Sequence, residues 1–82
     1  MTAADGTAWP DEPAAYRITA RGTLDPSWSG QLGDLAIAVD TADVREPVTV
    51  LTGRLADQAA LLGVLNHLAE LGLALVSVER NA

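Results

Sequence analysis

The chain has 82 residues, so it forms at most one domain, and a domain of this size buries a smaller share of its surface than a larger one. It contains no cysteine, which excludes disulfides and thiolate chemistry, and with one histidine a zinc site would need several carboxylates. Eleven acidic residues against five basic ones give a formal net charge of −6, which repels the phosphates of nucleic acids. We therefore expect no metal, no cofactor and no nucleic-acid partner, and self-association remains as the way to stabilise so small a domain.

The first thirteen residues, MTAADGTAWPDEP, predict a disordered N-terminal arm ahead of a single domain over residues 14–82. They are small and polar, and prolines interrupt them. Trp9 is the exception, and two interpretations of it stay open. It is either an exposed side chain in the arm or an anchor that folds back onto an apolar surface.

Residues 15–22 predict a first, half-buried strand, because one face carries Tyr16, Ile18 and Ala20 and the other carries Arg17, Thr19 and Arg21. Asp25 and Pro26 then resemble the N-cap and first position of a helix, which nearby glycines limit to a short turn.

Two further strands are predicted before the main helix. Residues 35–39 alternate large and small apolar side chains, and residues 48–52 are rich in β-branched side chains. The main helix is expected between an N-cap at Asp57 and a stop at Gly72. Its apolar arc is wider than one sheet requires, so the helix is expected to touch a second surface.

Residues 73–78 predict the last strand, with Ala74, Val76 and Val78 on one face and Leu73 and Leu75 on the other. Neither of these two faces is plainly a solvent face. Both sides of this strand are therefore expected to be buried, one of them against another chain.

The order of elements predicts an α+β fold with a four-stranded antiparallel sheet and one main helix. The expected sequence is strand, short helical turn, strand, strand, helix, strand, a permuted ferredoxin-like sandwich with sheet order second, third, first, fourth. The alternative is a β-meander with one helix laid across it. One helix covers one face only, so we expect a homodimer. Arg17 and Arg21 on a central first strand would make the open face polar, which favours pairing through the helix.

Residues 48–80, VTVLTGRLADQAALLGVLNHLAELGLALVSVER, are similar to the first strand, helix and second strand of ACT domains, in which a helix like GVLNHLAELGL runs into a strand like ALVSVER. The resemblance implies a ferredoxin-like module that pairs and often binds amino acids at the pairing surface. ACT domains usually carry an acidic residue and Pro-Gly at the helix start, whereas residues 54–59 here read RLADQA, so that ligand site does not transfer. The chain also resembles a group of small uncharacterised bacterial proteins with an LTGxLxDQAAL...LGLxLxSV ending.

Two pairs of residues are candidates for chemistry. Arg54 and Asp57 are expected to lie near the positive helix start, where an anionic ligand would find backbone N–H groups and a guanidinium. The alternative is an N-cap beside a surface arginine. His67 and Glu70 are three residues apart on the helix and would suit proton transfer, or they form a solvated polar face.

Four residues are candidates for an interface. Leu62, Leu65 and Ala69 belong to the wide apolar arc of the main helix, and Trp28 follows the short turn that begins at Asp25. With so few reactive side chains, we expect a small non-enzymatic module that self-associates and serves protein interaction or regulation. An ACT-like sensor of an amino acid or other anion and a small dimeric isomerase or oxygenase stay open as alternatives. No basic start followed by an apolar core and no apolar span is present, so we expect a cytoplasmic protein without a membrane partner.

Overall fold

The strand patterns of the sequence form a four-stranded antiparallel sheet in the computed structural model, which describes residues 13–81. The predicted arm up to residue 12, with Trp9, and the last residue lie outside the described residues. The elements in chain order are β1 (Ala14–Arg21), the 3-10 helix η1 (Pro26–Gln31), β2 (Ala36–Asp40), β3 (Val48–Leu55), α1 (Gln58–Glu70) and β4 (Ala74–Asn81).

The sheet order is β2-β3-β1-β4, and each neighbouring pair is antiparallel. This confirms the predicted layout and excludes the meander, because β1 pairs with β3 and β4 rather than with β2. The connectivity is the β-α-β-β-α-β order of the ferredoxin-like fold with its first helix reduced to η1. The expected permutation is therefore not needed to describe the chain.

The core lies between one face of the sheet and the layer formed by α1 and η1. The alternating side chains of β1 place Tyr16, Ile18 and Ala20 in the core, as predicted. A row of large apolar side chains crosses the sheet beneath the helix, since the cross-strand partners are Ile37, Leu51, Ile18 and Val78. The segments around η1 close the β2 side of the core with the buried side chains of Leu24, Leu32 and Leu35.

The ends of α1 match the sequence signals for them. The carboxylate of Asp57 accepts a hydrogen bond from the backbone N–H of Ala60 at 2.8 Å, which confirms the N-cap. Gly72 has a φ of +86°, and the N–H of Leu73 donates to the carbonyl of Leu68 at 3.0 Å. This geometry is a Schellman motif, so glycine ends the helix and turns the chain into β4.

Two strand predictions need correction. β3 continues to Leu55 rather than stopping at residue 52, because Gly53 sits inside the strand with a φ of +150°. In β4 a bulge shifts the register, so that Ser77 lies opposite Thr19 while Leu75 lies opposite Ala20. The predicted common face for Ala74 and Val78 is wrong, since one extra residue in the strand inverts the alternation.

Candidate functional site

The residues predicted to bind a ligand lie on opposite sides of the sheet. Because β3 extends through Arg54 and the buried Leu55 faces the helix, Arg54 projects from the face away from α1. Its Nη2 donates to the carbonyl of Pro13 at 3.4 Å. The carboxylate of Asp57 instead caps α1 by accepting a hydrogen bond from the backbone N–H of Ala60. The geometry separates the guanidinium from the helix N-terminus, and ligand binding by either residue stays a prediction.

The predicted catalytic pair, His67 and Glu70, is not joined by an ion pair in the part of the chain that the structure describes. His67 is half-buried and packs edge-on against Trp28 of η1, with ring centroids 6.0 Å apart and an interplanar angle of 69°. Glu70 is exposed, and within residues 13–81 it forms no ion pair with His67. His67 therefore joins two elements of the fold instead of lying on the solvated helix face, and a role in proton transfer stays a prediction.

The predicted interface residues divide between two flanks of α1. Trp28 contacts the flank of α1 that carries His67. This flank faces η1, and it lies on the β2 side of the sheet because η1 contacts β2. At 100° per residue, Leu62, Leu65 and Ala69 lie about 140–160° around the helix from His67, on the flank towards β4. Leu62 is 50% exposed, whereas Leu65 packs partly against the core.

The outer edge of β4 continues this flank. Leu75 lies opposite the buried Ala20, and residues opposite each other in an antiparallel pair share a face, so Leu75 projects on the helix side. Leu75 is 53% and Val76 is 52% exposed. We call Leu62, Ala69, Leu75 and Val76 the β4 flank.

On the other side of the sheet is a surface that α1 leaves uncovered, and we call it the open face. It carries Arg17, Arg21 and Arg54 together with a row of short side chains, whose cross-strand order is Ala38, Val50, Thr19 and Ser77. Arg21 makes the one ion pair among the described residues, with Glu46 at 3.7 Å, and both side chains are exposed. Such exposed pairs contribute little to stability.

Sequence reasoning placed Arg17 and Arg21 on the open face but did not add Arg54. The signal was present, because Leu51 and Leu55 are four positions apart and therefore share one face of an extended strand, which puts Arg54 on the other face with Thr52. Arg54 was not assigned to this face because Gly53 was interpreted as the end of the strand. Exposure of Leu75 and Val76 was also missed, because β4 was expected to be covered on both sides.

The described part of the chain contains no cluster of three or more residues of the types His, Cys, Asp and Glu that could hold a metal ion. Within the same residues no helix is long and apolar enough to cross a bilayer.

The fold and its two free surfaces define a small ferredoxin-like α+β domain. The chain belongs to the family described as Domain of unknown function (DUF8691), whose model matches residues 15–79. The match begins in β1 and ends in β4, so it spans the whole sheet. No curated protein and no solved structure matches the chain significantly. The comparisons contain no match to ACT domains, so the resemblance to that family stays a prediction from the sequence.

Proposed function

We propose that this protein is a non-enzymatic interaction module that forms a homodimer through the β4 flank. The observation that carries the proposal is a strand edge whose first five residues are uncharged, beside exposed apolar side chains. β4 begins with Ala-Leu-Val-Ser-Val, and it pairs with β1 on one side only.

An unpaired strand edge offers a row of backbone N–H and C=O groups to any second strand. Domains that remain monomeric guard such edges with charges, prolines or very short strands. At the other edge of this sheet, β2 is five residues long and ends in Asp40. β4 is eight residues long, and its charged residues, Glu79 and Arg80, come only near its end. The two edges are thus unequal, and β4 is the one suited to pairing.

A two-fold axis perpendicular to the sheet would pair β4 with its copy in antiparallel fashion. Such an arrangement is isologous, so the same patch serves both chains. It would join two sheets into one and set both copies of α1 side by side on the same face. Leu62 and Ala69 would then meet their counterparts, which accounts for the apolar side chains that the sheet beneath does not cover.

The candidate chemistry gives no competing explanation for these surfaces. His67 packs against Trp28, and Arg54 faces away from the helix start. An interaction role requires no further reactive group, whereas an isomerase or oxygenase would require His67 and a carboxylate to face one cavity.

The test is the solution mass measured by light-scattering chromatography over a concentration series. The unaltered chain is expected to run as a dimer, and Val76→Lys to run as a monomer, because a charge would enter the strand pair. Val44→Lys is the matched control: Val44 is 81% exposed in the β2–β3 connection, far along the chain from β4. Far-UV circular dichroism checks that both variants remain folded. A monomer at all concentrations, or a dimer that survives Val76→Lys, would refute the proposal.

An ACT-like sensor is the second candidate, supported by the ferredoxin-like connectivity alone. In that case the ligand would sit at the subunit boundary. A ligand that binds only the folded chain raises its melting temperature. A screen with free amino acids and simple carboxylates tests this candidate, and a melting temperature that none of them raises would eliminate it. Arg54→Ala then asks whether Arg54 takes part in binding.

A further inference from the structure

We propose that the bulge in β4 selects a second copy of this chain as the partner of that strand edge and fixes the register in which the two copies pair. The two-fold axis then passes between Val76 and Ser77, and Leu75 lies opposite the partner's Val78. The inference rests on the proposed dimer. It adds which strand fits the edge and which residues meet there.

Val76 is the extra residue of the bulge. Ser77 lies opposite Thr19 and Leu75 lies opposite Ala20, so Val76 has no cross-strand partner in β1. The alternation of side chains is inverted at this residue. The two halves of β4 on either side of Val76 are therefore out of phase with each other.

The cross-strand partners in β1 show which side of the sheet each residue of β4 faces. Three residues of β4 face the helix side, because their partners are buried: Leu75, Val78 and Arg80. Four residues of β4 face the open side: Ala74, Ser77, Glu79 and Asn81. Positions 75 and 77 thus lie on opposite sides of the sheet, whereas positions 75 and 78 share a side.

A regular strand cannot match this edge along its whole length. Residues that lie opposite each other in an antiparallel pair share a face, and in a regular strand every second residue faces the same side. A regular partner is therefore in phase with β4 before Val76 or after it, but not on both sides. Proteins use bulges in this way to protect edge strands from unwanted pairing. A second copy carries the same bulge, and two bulges placed side by side cancel the shift.

Symmetry limits the registers that two bulged copies can adopt. An axis through Val76 would set Leu75 opposite the partner's Ser77, which faces the other side of the sheet. An axis through Ser77 fails likewise, because it sets Leu75 opposite the partner's Glu79. An axis between Val76 and Ser77 avoids both conflicts, because Leu75 then lies opposite the partner's Val78.

Two other registers of useful length keep the faces in phase, but both are less favourable. An axis one residue earlier pairs only residues 74–77, whereas the proposed axis pairs residues 74–79. An axis through Glu79 pairs residues 77–81 but sets two carboxylates directly opposite each other, and like charges in that position are destabilising. The proposed register therefore has the longest overlap without a like-charge pair.

The flank of α1 towards β4 agrees with this register. The midpoint between Leu62 and Ala69 lies about 7 Å from Glu70 at about 1.5 Å per helical residue. The proposed axis lies about 8 Å from Ala74 at about 3.4 Å per strand residue. Since the chain reverses between Glu70 and Ala74, the axis is level with that midpoint. Leu62 of each copy then meets the partner's Ala69, so a large side chain packs against a small one.

Disulfide cross-linking reads the register directly, because the chain has no cysteine of its own. Ala74→Cys combined with Glu79→Cys is expected to form a covalent dimer with two disulfides, and each single variant is expected to stay unlinked. Opposite residues in an antiparallel pair have Cα atoms about 4.5–5.5 Å apart, which a disulfide can span. Within one chain the two positions are roughly 17 Å apart along the strand, so the bond must join two chains.

Two further variants report the competing registers. Ala74→Cys with Ser77→Cys forms a 74–77 disulfide if the axis lies one residue earlier, and Glu79→Cys alone is linked if the axis passes through that residue. Neither bond is expected, because the proposed register places both pairs about 7 Å or more apart, too far for a disulfide. Non-reducing electrophoresis and mass spectrometry of the digested chains identify each bond.

The outcomes separate the register from the dimer itself. If the unaltered chain is a dimer but either competing disulfide forms, or the 74–79 disulfide does not, the register is refuted and the dimer is not. If the unaltered chain is a monomer at all concentrations, the proposed function fails and the register fails with it.

Deletion of Val76 tests the selection of the partner. The shortened chain has a regular β4, which cannot stay in phase with the bulged strand of the unaltered chain. When the two chains are mixed, native mass spectrometry is expected to show fewer mixed dimers than random pairing gives. The matched control is Val44→Lys, which is expected to mix with the unaltered chain at random. Random mixing by the shortened chain would refute the selection, and the cross-links do not depend on this variant.

Discussion

Two glycine-to-alanine substitutions are expected to change the stability of this domain in opposite directions. Gly53 lies within β3 at a φ of +150°, a conformation that residues with a side chain rarely adopt. A Cβ added there would lie 2.9 Å from Cδ2 of Leu35 and 3.6 Å from its Cα. Gly63 lies in α1, and a Cβ added there has no neighbour within 4 Å among the described residues.

The magnitudes follow from these contacts. At Gly53 the backbone strain costs on the order of 1–3 kcal/mol, and overpacking against the buried Leu35 costs a similar amount. At Gly63 alanine reduces the entropy cost of ordering the helix, which stabilises by about 0.5–1 kcal/mol. The whole domain is expected to be stable by about 4–12 kcal/mol at the usual value per residue. Gly53→Ala therefore removes a large part of the stability, and Gly63→Ala adds a little.

Urea unfolding followed by far-UV circular dichroism measures both changes. All three chains are compared at one chain concentration, because dimer formation makes apparent stability depend on concentration. A shift of the midpoint at constant slope reports a change in stability alone. An unchanged midpoint for Gly53→Ala would refute the packing of Gly53 against Leu35. A loss of stability in Gly63→Ala would mean that another chain occupies the space beside that part of α1.

Three further outcomes test the helix cap, the core and one titrating group. Asp57→Ala is expected to cost about 1 kcal/mol in urea unfolding, with Asp57→Asn as the control that keeps the cap, and equal losses would argue against the capping bond. Leu51→Ala is expected to cost about 2–5 kcal/mol because the side chain is fully buried, whereas Leu62→Ala costs less at concentrations where the chain is monomeric. A similar loss at both positions would contradict the assigned core. The N–H of Ser27 donates to the carboxylate of Asp25 and lowers the pKa of that carboxyl below its ordinary value of 3.8. The bond therefore stabilises the fold above that value and ceases to do so as the pH falls through the lowered pKa; an NMR titration that places the Asp25 carboxyl at or above 3.8 would disprove it.

Most of the fold could be predicted because local signals agree with the tertiary structure. Alternation over residues 15–22 identified the buried side of β1, and Asp57 and Gly72 bracket the helix as capping chemistry requires. Handedness of the crossovers then limited the strand order to very few choices. The bulge in β4 was not predictable in this way, because it arises from register against β1 and leaves no mark in residues 74–78.

The candidate site was harder to predict because proximity depends on which side of a strand a residue faces. Arg54 and Asp57 are three residues apart in sequence, yet a strand that continues past residue 52 sends them to opposite sides of the sheet. The contact between His67 and Trp28 was not predictable either. The helical period gives the direction of the His67 side chain, but it does not show that η1 packs beside α1 on that side. An error of three residues at the end of β3 leaves the fold recognisable but changes which side of the sheet carries the predicted site residues.

Dimer formation through the β4 flank is expected to respond to ionic strength. It joins two chains that each carry a formal charge of −6 through largely uncharged surfaces, so their mutual repulsion opposes pairing and added salt relieves it. Raising the salt concentration should therefore increase the dimer fraction measured by light-scattering chromatography. A dimer fraction that falls as salt is added would mean that ion pairs hold the two chains together, and pairing through the uncharged part of β4 would be wrong.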